Sequence, residues 1–236
     1  MVKAKTIVAS IFIGLMSVVL VACGHGNSAK TDNKTLSLSA TSQLDTIDIS
    51  RSDGYGQTGN VFESFYRLGK NGKVTPGIAK SATVSKDGKI WTFKLREAKW
   101  SNGDPITAQD FVYSWRRSLT PKTESPYSYL FSGVKNADQI IAGKMPPEAL
   151  GISAPRKDTV VVKLDAPIAY FKVLMAYPLF GPQNERVVKK YGNKYATKSE
   201  YQVYSGPFKI ENWDGVGDTW SFVKNNNYWD KKAVKL

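Results

Sequence analysis

The sequence predicts a mixed α/β fold of the α+β kind, and three observations carry that prediction. Short segments alternate apolar and polar residues with a period of two, as at 35–39, 90–96 and 219–224, and turn residues separate them. One stretch, 108–119, instead places Phe111, Trp115 and Leu119 at four-residue spacing, the stripe of an amphipathic helix. No internal repeat and no low-complexity insert points to a solenoid or an array.

Taken in order, Thr35-Leu36-Ser37-Leu38-Ser39 alternates like a half-buried strand. Gln57 to Tyr66 reads as a short helix with Val61, Phe62, Phe65 and Tyr66 on one side, followed by a turn at Lys70-Asn71-Gly72-Lys73. Lys86-Asp87-Gly88-Lys89 is an Asp-Gly hairpin turn that feeds the strand Ile90 to Arg96, with Trp91, Phe93 and Leu95 on its buried face. Asn102-Gly103-Asp104-Pro105 turns the chain again, and Thr107 caps the helix Ala108 to Leu119. Lys135 to Ala142 reads as helix, Ile152 to Ala154 and Thr159 to Leu164 as paired strands, and Tyr170 to Tyr177 as an apolar helix or its remnant, closed by Pro178. Glu185 to Tyr191 is a further short helix, and Pro207 to Trp213 and Thr219 to Lys224 alternate as strands.

The N-terminus carries a different signal. Lys3 and Lys5 precede an apolar run from Thr6 to Val21, the n-region and h-region of a signal peptide spanning residues 1–22. The run is short for a membrane span, which needs about 20 apolar residues. It ends in Leu20-Val21-Ala22-Cys23, which looks like a bacterial lipobox; cleavage before Cys23 and attachment of a lipid pair to its thiol would give a two-chain anchor. The alternative is an ordinary buried cysteine in an N-terminal helix. Residues 23–35 have no apolar period and read as a flexible, lipidated tether.

Composition narrows the function classes. Cys23 is the only cysteine, so no disulfide staples the exported domain and it must fold on its core. His25 is the only histidine and sits in the tether, which argues against Ser/His or Cys/His catalysis and zinc hydrolysis. No carboxylate pair with a tuning partner is evident, so an enzyme is not expected, and neither a metal nor another cofactor is. The net charge of +13 becomes 13 − 2 = +11 once Lys3 and Lys5 leave with the signal peptide. Its lysines and arginines are dispersed, so the expected neighbour is anionic lipid or wall polymer and not nucleic acid.

The block "WTFKLREAKWSNGDPITAQDFVYSWRRSLTP" at 91–121, preceded by Gly77-Ile78-Ala79 and Asp87-Gly88, resembles the substrate-binding lipoproteins of peptide ABC importers, the oligopeptide-binding branch of the extracellular solute-binding family that also includes dipeptide and nickel binders. Leu44-Asp45-Thr46, Val61-Phe62-Glu63, Ser125-Pro126-Tyr127, Tyr204-Ser205-Gly206-Pro207-Phe208 and Asn227-Tyr228-Trp229-Asp230 follow in the expected order, so the resemblance runs from about Leu36 to the C-terminus.

That resemblance implies a type II periplasmic-binding-protein-like (Venus flytrap) fold, present here in part. Residues 36–62 and 184–236 would be first-lobe segments, 63–183 an inserted domain, and the second lobe would follow Leu236 and is absent. It implies capture of oligopeptides outside the cytoplasm for an ABC permease and its ATPase, by a monomer held on the cell membrane through its lipid, in a Gram-positive bacterium. Ser50, Arg51, Ser52 and Asp53 would border the ligand backbone, and Tyr127 and Tyr177 would wall the cleft. For the tyrosines the alternative is core or rim packing, and for Asp53 a solvated turn. Two other readings stay open: a truncated product that binds nothing well, and a basic surface lipoprotein or adhesin without a small ligand. The scarcity of imidazole and thiol argues against a metal cargo.

Overall fold

The computed structural model describes residues 43–56 and 58–235. The signal peptide, Cys23, the tether and the strand expected at 35–39 lie outside the described residues. Among the described residues there are eight strands: β1 (Tyr66–Leu68), β2 (Val74–Pro76), β3 (Ala79–Val84), β4 (Ile90–Leu95), β5 (Ile152–Arg156), β6 (Thr159–Lys163), β7 (Phe208–Glu211) and β8 (Ser221–Lys224). The α-helices are α1 (Ala108–Leu119), α2 (Ala137–Ile141), α3 (Phe171–Leu174) and α4 (Glu185–Tyr191), with short 3-10 turns between them.

The central sheet is antiparallel with strand order β3-β4-β6-β5, while β1-β2 and β7-β8 are separate hairpins. The Asp-Gly signal does what it predicts. Gly88 takes φ +70°, a conformation open to glycine at little cost, and Asp87 Oδ1 accepts the Lys89 N–H at 3.2 Å. Period two then puts Phe93 and Leu95 inward, with Phe93 opposite Val160 and Trp91 opposite Val162 on β6.

Helix α1 covers that face. Asp110 begins the helix by accepting the Thr107 N–H at 2.7 Å and the Thr107 hydroxyl at 3.0 Å, the acidic half of a capping box. Its stripe of Phe111, Val112, Trp115 and Leu119 is buried. Phe65 stacks between Phe93 and Phe111 with both ring centroids 4.2 Å away, and the Trp115 indole N–H donates to the Phe180 carbonyl at 3.0 Å. Each aromatic pair contributes about 0.5–1.5 kcal/mol beyond its buried area, so the core is anchored where sheet, helix and the 61–65 segment meet.

The helix expected over 57–66 does not form. Its backbone groups find long-range partners instead: Gly206 N–H donates to Val61 O at 2.9 Å, Gly77 N–H to Phe65 O at 2.9 Å, and Ile78 N–H to Ser64 O at 3.0 Å. With carbonyls so engaged, an i to i+4 ladder is excluded and the apolar residues are buried on both sides of an extended segment. The helix expected over 170–177 shrinks to α3, because the Met175 carbonyl accepts the Tyr66 N–H and Pro178 ends the run. Among the described residues no helix is long and apolar enough to cross a membrane, and no cluster of His, Cys, Asp and Glu could hold a metal ion.

Candidate functional site

The loop 45–53 is shaped by one carboxylate. Asp48 accepts the Ser50 N–H on Oδ1 at 3.0 Å, and its carbonyl accepts the N–H groups of Arg51 and Ser52, both at 3.0 Å. The same carboxylate takes Arg117 of α1 end-on, at 2.8 Å from Nη1 and 2.5 Å from Nη2. Burial works against a charge on Arg117, and the bond to Asp48 outweighs it, so the guanidinium is held charged. Ser50 is drawn into the same anchor: its Oγ lies 2.7 Å from Ser118 Oγ and accepts from Gln183 Nε2 at 2.6 Å, and Gln183 also reaches Ser114. The loop is riveted to the helix by side chains.

Beyond the loop, Tyr55 buries its ring and donates its hydroxyl to the Ile49 carbonyl at 2.5 Å. Tyr177 packs edge-on against it at 4.7 Å, and Tyr127 lies 6.1 Å from Tyr55 and 6.5 Å from Tyr177. Tyr127 donates its hydroxyl to the Asp53 carbonyl at 2.6 Å, and Tyr129, 60% exposed, extends the cluster outward with its ring 6.2 Å from Tyr127. Burial, with the neighbouring phenols of Tyr127 and Tyr129, raises the Tyr177 pKa, so the Tyr177 hydroxyl stays neutral at physiological pH.

Of the residues singled out from sequence, Asp53, Tyr127 and Tyr177 are therefore brought together. Ser50 and Ser52 are buried, with Ser50 committed to Gln183 and Ser52 Oγ bonded to the Gly54 carbonyl. Arg51 is exposed and points the loop toward a neighbouring cleft of about 430 Å³, which Arg117 and Lys122 also line. The amide N–H groups of residues 50–53 are all engaged, that of Asp53 by Asp45 Oδ2 at 3.2 Å. The carbonyls of Ser50, Arg51 and Ser52 have no partner among the described residues. Ser50 and Ser52 are each only 1% exposed, so of these three carbonyls only that of Arg51 belongs to an exposed residue. Cys23 lies outside the described residues.

Tyr55 and Tyr129 were not singled out from sequence. Tyr55 sits in a Gly-rich turn context, Ser-Asp-Gly-Tyr-Gly, where an aromatic has no periodic partner to betray it. Tyr129 is two residues from Tyr127, and two nearby tyrosines in one loop were the available signal.

The remaining motifs form a structural knot. Ser205 Oγ accepts the Glu63 N–H at 2.9 Å, and Trp229 Nε1 donates to Glu63 Oε2 at 2.6 Å. Arg67 Nε pairs with Glu63 Oε1 at 3.1 Å, and the Arg96 guanidinium stacks 3.6 Å over the Trp229 ring. Burial raises the Glu63 pKa against these partners, which favour the charged form.

Residues 73–236 match the family model described as bacterial extracellular solute-binding proteins, family 5 Middle. The dipeptide-binding protein of Lactococcus lactis subsp. cremoris is 41% identical over 99% of this chain and 43% of its own length. The oligopeptide-binding protein OppA of Bacillus subtilis is 34% identical over 94% of this chain and 43% of its own. Among solved structures, Listeria monocytogenes OppA bound to peptide superposes with a TM-score of 0.82 at 43% identity, covering 84% of this chain and 40% of that one. The chain thus spans less than half the length of these relatives, and its α/β fold matches part of theirs. It belongs to the family 5 bacterial extracellular solute-binding proteins.

Proposed function

We propose that the chain is the N-terminal part of a substrate-binding lipoprotein that captures oligopeptides for an ABC importer, with no catalytic step of its own. The observation that carries this is the meeting of Asp53, Tyr127 and Tyr177 beside a loop whose exposed residue Arg51 has a carbonyl with no partner among the described residues. An extended peptide presents N–H groups along its length, and the unpaired Arg51 carbonyl on a fixed loop can accept one of them. Tyrosine walls add contact area that tolerates many side chains. The names of the relatives agree with this class.

In this reading residues 36–62 and 184–236 belong to the first lobe and 63–183 to an inserted domain. Asp53, Tyr127 and Tyr177 border the peptide, with Arg51 beside it and Ser50 and Ser52 supporting the loop. Cys23 carries the lipid that holds the protein on the outer face of the cell membrane of a Gram-positive bacterium, and the protein acts as a monomer that delivers peptide to a permease driven by a separate ATPase. Cys23→Ser is the test of the anchor: the protein should leave the membrane fraction, and continued retention would refute it.

Calorimetric titration with a mixed pentapeptide pool tests the peptide reading. Weak, saturable heat that Tyr127→Ala removes is expected. Absence of saturable heat, no peptide-dependent rise in Tm, and salt-sensitive binding to an anionic polymer would replace it with a basic surface protein.

A further inference from the structure

The cleft beside the 45–51 loop carries charges that the fold does not use up. Its lining includes Asp45, Asp48, Arg51, Arg117 and Lys122. Both carboxylates are occupied, Asp48 by Arg117 and the Ser50 N–H, and Asp45 by the Asp53 N–H. Arg51 and Lys122 are exposed and have no acidic partner within ion-pair distance among the described residues. Arg117 uses one hydrogen of each Nη on Asp48 and the second hydrogen of Nη1 on Gln183 Oε1 at 2.7 Å. Its Nε–H and the second Nη2–H have no partner among the described residues. These two donors lie along one edge of the guanidinium and are parallel, which is the geometry that takes a carboxylate in two bonds. Packing of Arg117 against the Tyr195 ring at 5.2 Å, together with the Asp48 bonds, fixes that edge in place.

We infer that this cleft is a carboxylate subsite, in which the free edge of Arg117 and the Arg51 and Lys122 cations grip a singly charged carboxylate of the ligand. Three cations against two carboxylates leave one excess positive charge, which a carboxylate balances and a doubly charged phosphate would exceed. Arg51, which lines the cleft, also has a backbone carbonyl with no partner among the described residues, an acceptor for an amide N–H. A peptide lying along the loop would therefore place an amide at the Arg51 carbonyl and its terminal carboxylate in the cleft. The identity of the carboxylate's bearer rests on the peptide reading; the subsite itself does not.

The test is a proton–nitrogen NMR titration of the chain with N-acetylglycine, N-acetylglycinamide and inorganic phosphate. N-acetylglycine should give saturable shifts at Arg51, Lys122, Thr123 and Asn193, and the uncharged amide should bind at least about fivefold more weakly. The double variant Arg51→Ala/Lys122→Ala should weaken the acid by a similar factor. Arg117→Lys, which keeps the charge and loses the edge, should weaken it too. Equal response to acid and amide, an unaltered titration in the double variant, or tighter binding of phosphate overturns the inference. Calorimetry with pentapeptides differing only in a free or amidated C-terminus separates the two readings, because equal affinity for both sinks the subsite and leaves peptide capture standing.

Discussion

Arg117 meets Asp48 end-on, with Nη1 2.8 Å from Oδ1 and Nη2 2.5 Å from Oδ2, and both carboxylate oxygens lie in the protein interior. The pair joins two segments 69 residues apart, the loop that carries Asp53 and the helix that covers the sheet. Removing one partner leaves the other's charge buried and unmatched, which typically costs about 3–5 kcal/mol. Asp48→Ala should therefore lower stability by that amount in urea unfolding and loosen the 50–53 loop. Arg156→Ala, which breaks an exposed pair with Asp158 at 3.8 Å, should cost less than about 1 kcal/mol. Equal losses in the two variants would show that the Asp48 pair does not organise the loop.

Gly206 faces the backbone of the segment that the sequence presents as a helix. A β-carbon there would stand 2.6 Å from Val61 C and 2.8 Å from Phe62 N, in a segment held by the Gly206 N–H bond to Val61 O and the Glu63 N–H bond to Ser205 Oγ. No side chain can rotate away to relieve the contact, so Gly206→Ala should cost at least about 2 kcal/mol. Gly54, whose added β-carbon would meet nothing within 4 Å, is the control, and Gly54→Ala should leave Tm within a few degrees of the parent or raise it slightly. Thermal unfolding monitored by circular dichroism reads both; a Gly206→Ala protein as stable as the parent would mean that the two segments do not sit this close.

Helix α1 and the β3–β4 hairpin were legible because their determinants are local. Thr107 and Asp110 cap within one turn, Phe111 to Leu119 repeat at the helical period, and Asp87-Gly88 dictates its own turn. The 57–66 segment was not, because its conformation is decided by Gly77, Ile78 and Gly206, far along the chain. At the site, Asp53, Tyr127 and Tyr177 were reached through family resemblance, while the Asp48–Arg117–Gln183 anchor left no trace in spacing. The Ser50 side chain shows why: the fold turns its hydroxyl inward to Gln183 and Ser118, partners 133 and 68 residues away that no local pattern announces.

The Tyr127 hydroxyl gives a finer probe of the same region. Tyr127→Phe keeps the ring near Tyr55 and Tyr177 and deletes only the bond to the Asp53 carbonyl. A bond of this kind contributes about 0.5–1.5 kcal/mol, and the freed carbonyl is close to solvent, so the loss should fall at the low end. The expected result is a decrease of no more than about 1 kcal/mol in urea unfolding, with faster hydrogen exchange in residues 50–54. Unchanged exchange there would mean that Tyr127 does not hold the loop.

Asp110 makes stability depend on pH in a predictable direction. Burial pushes its carboxyl up to about 6, against the Thr107 bonds and Arg186, which favour the charged form, and with Glu185 adding to the rise. The unfolded chain releases this proton near the ordinary value of 3.8, so between there and about 6 the folded state binds more protons than the unfolded state. Stability from this group is therefore highest below pH 4 and is lost as pH rises through 6, by at most about 3 kcal/mol. Asp110→Asn removes the titration and keeps a polar acceptor for the cap, so subtracting its urea stability from the parent's cancels every other ionisable group, Glu63 included. The difference should move against the parent between pH 4 and pH 7. A constant difference across that range would place Asp110 among ordinary solvated carboxylates and remove burial as the cause.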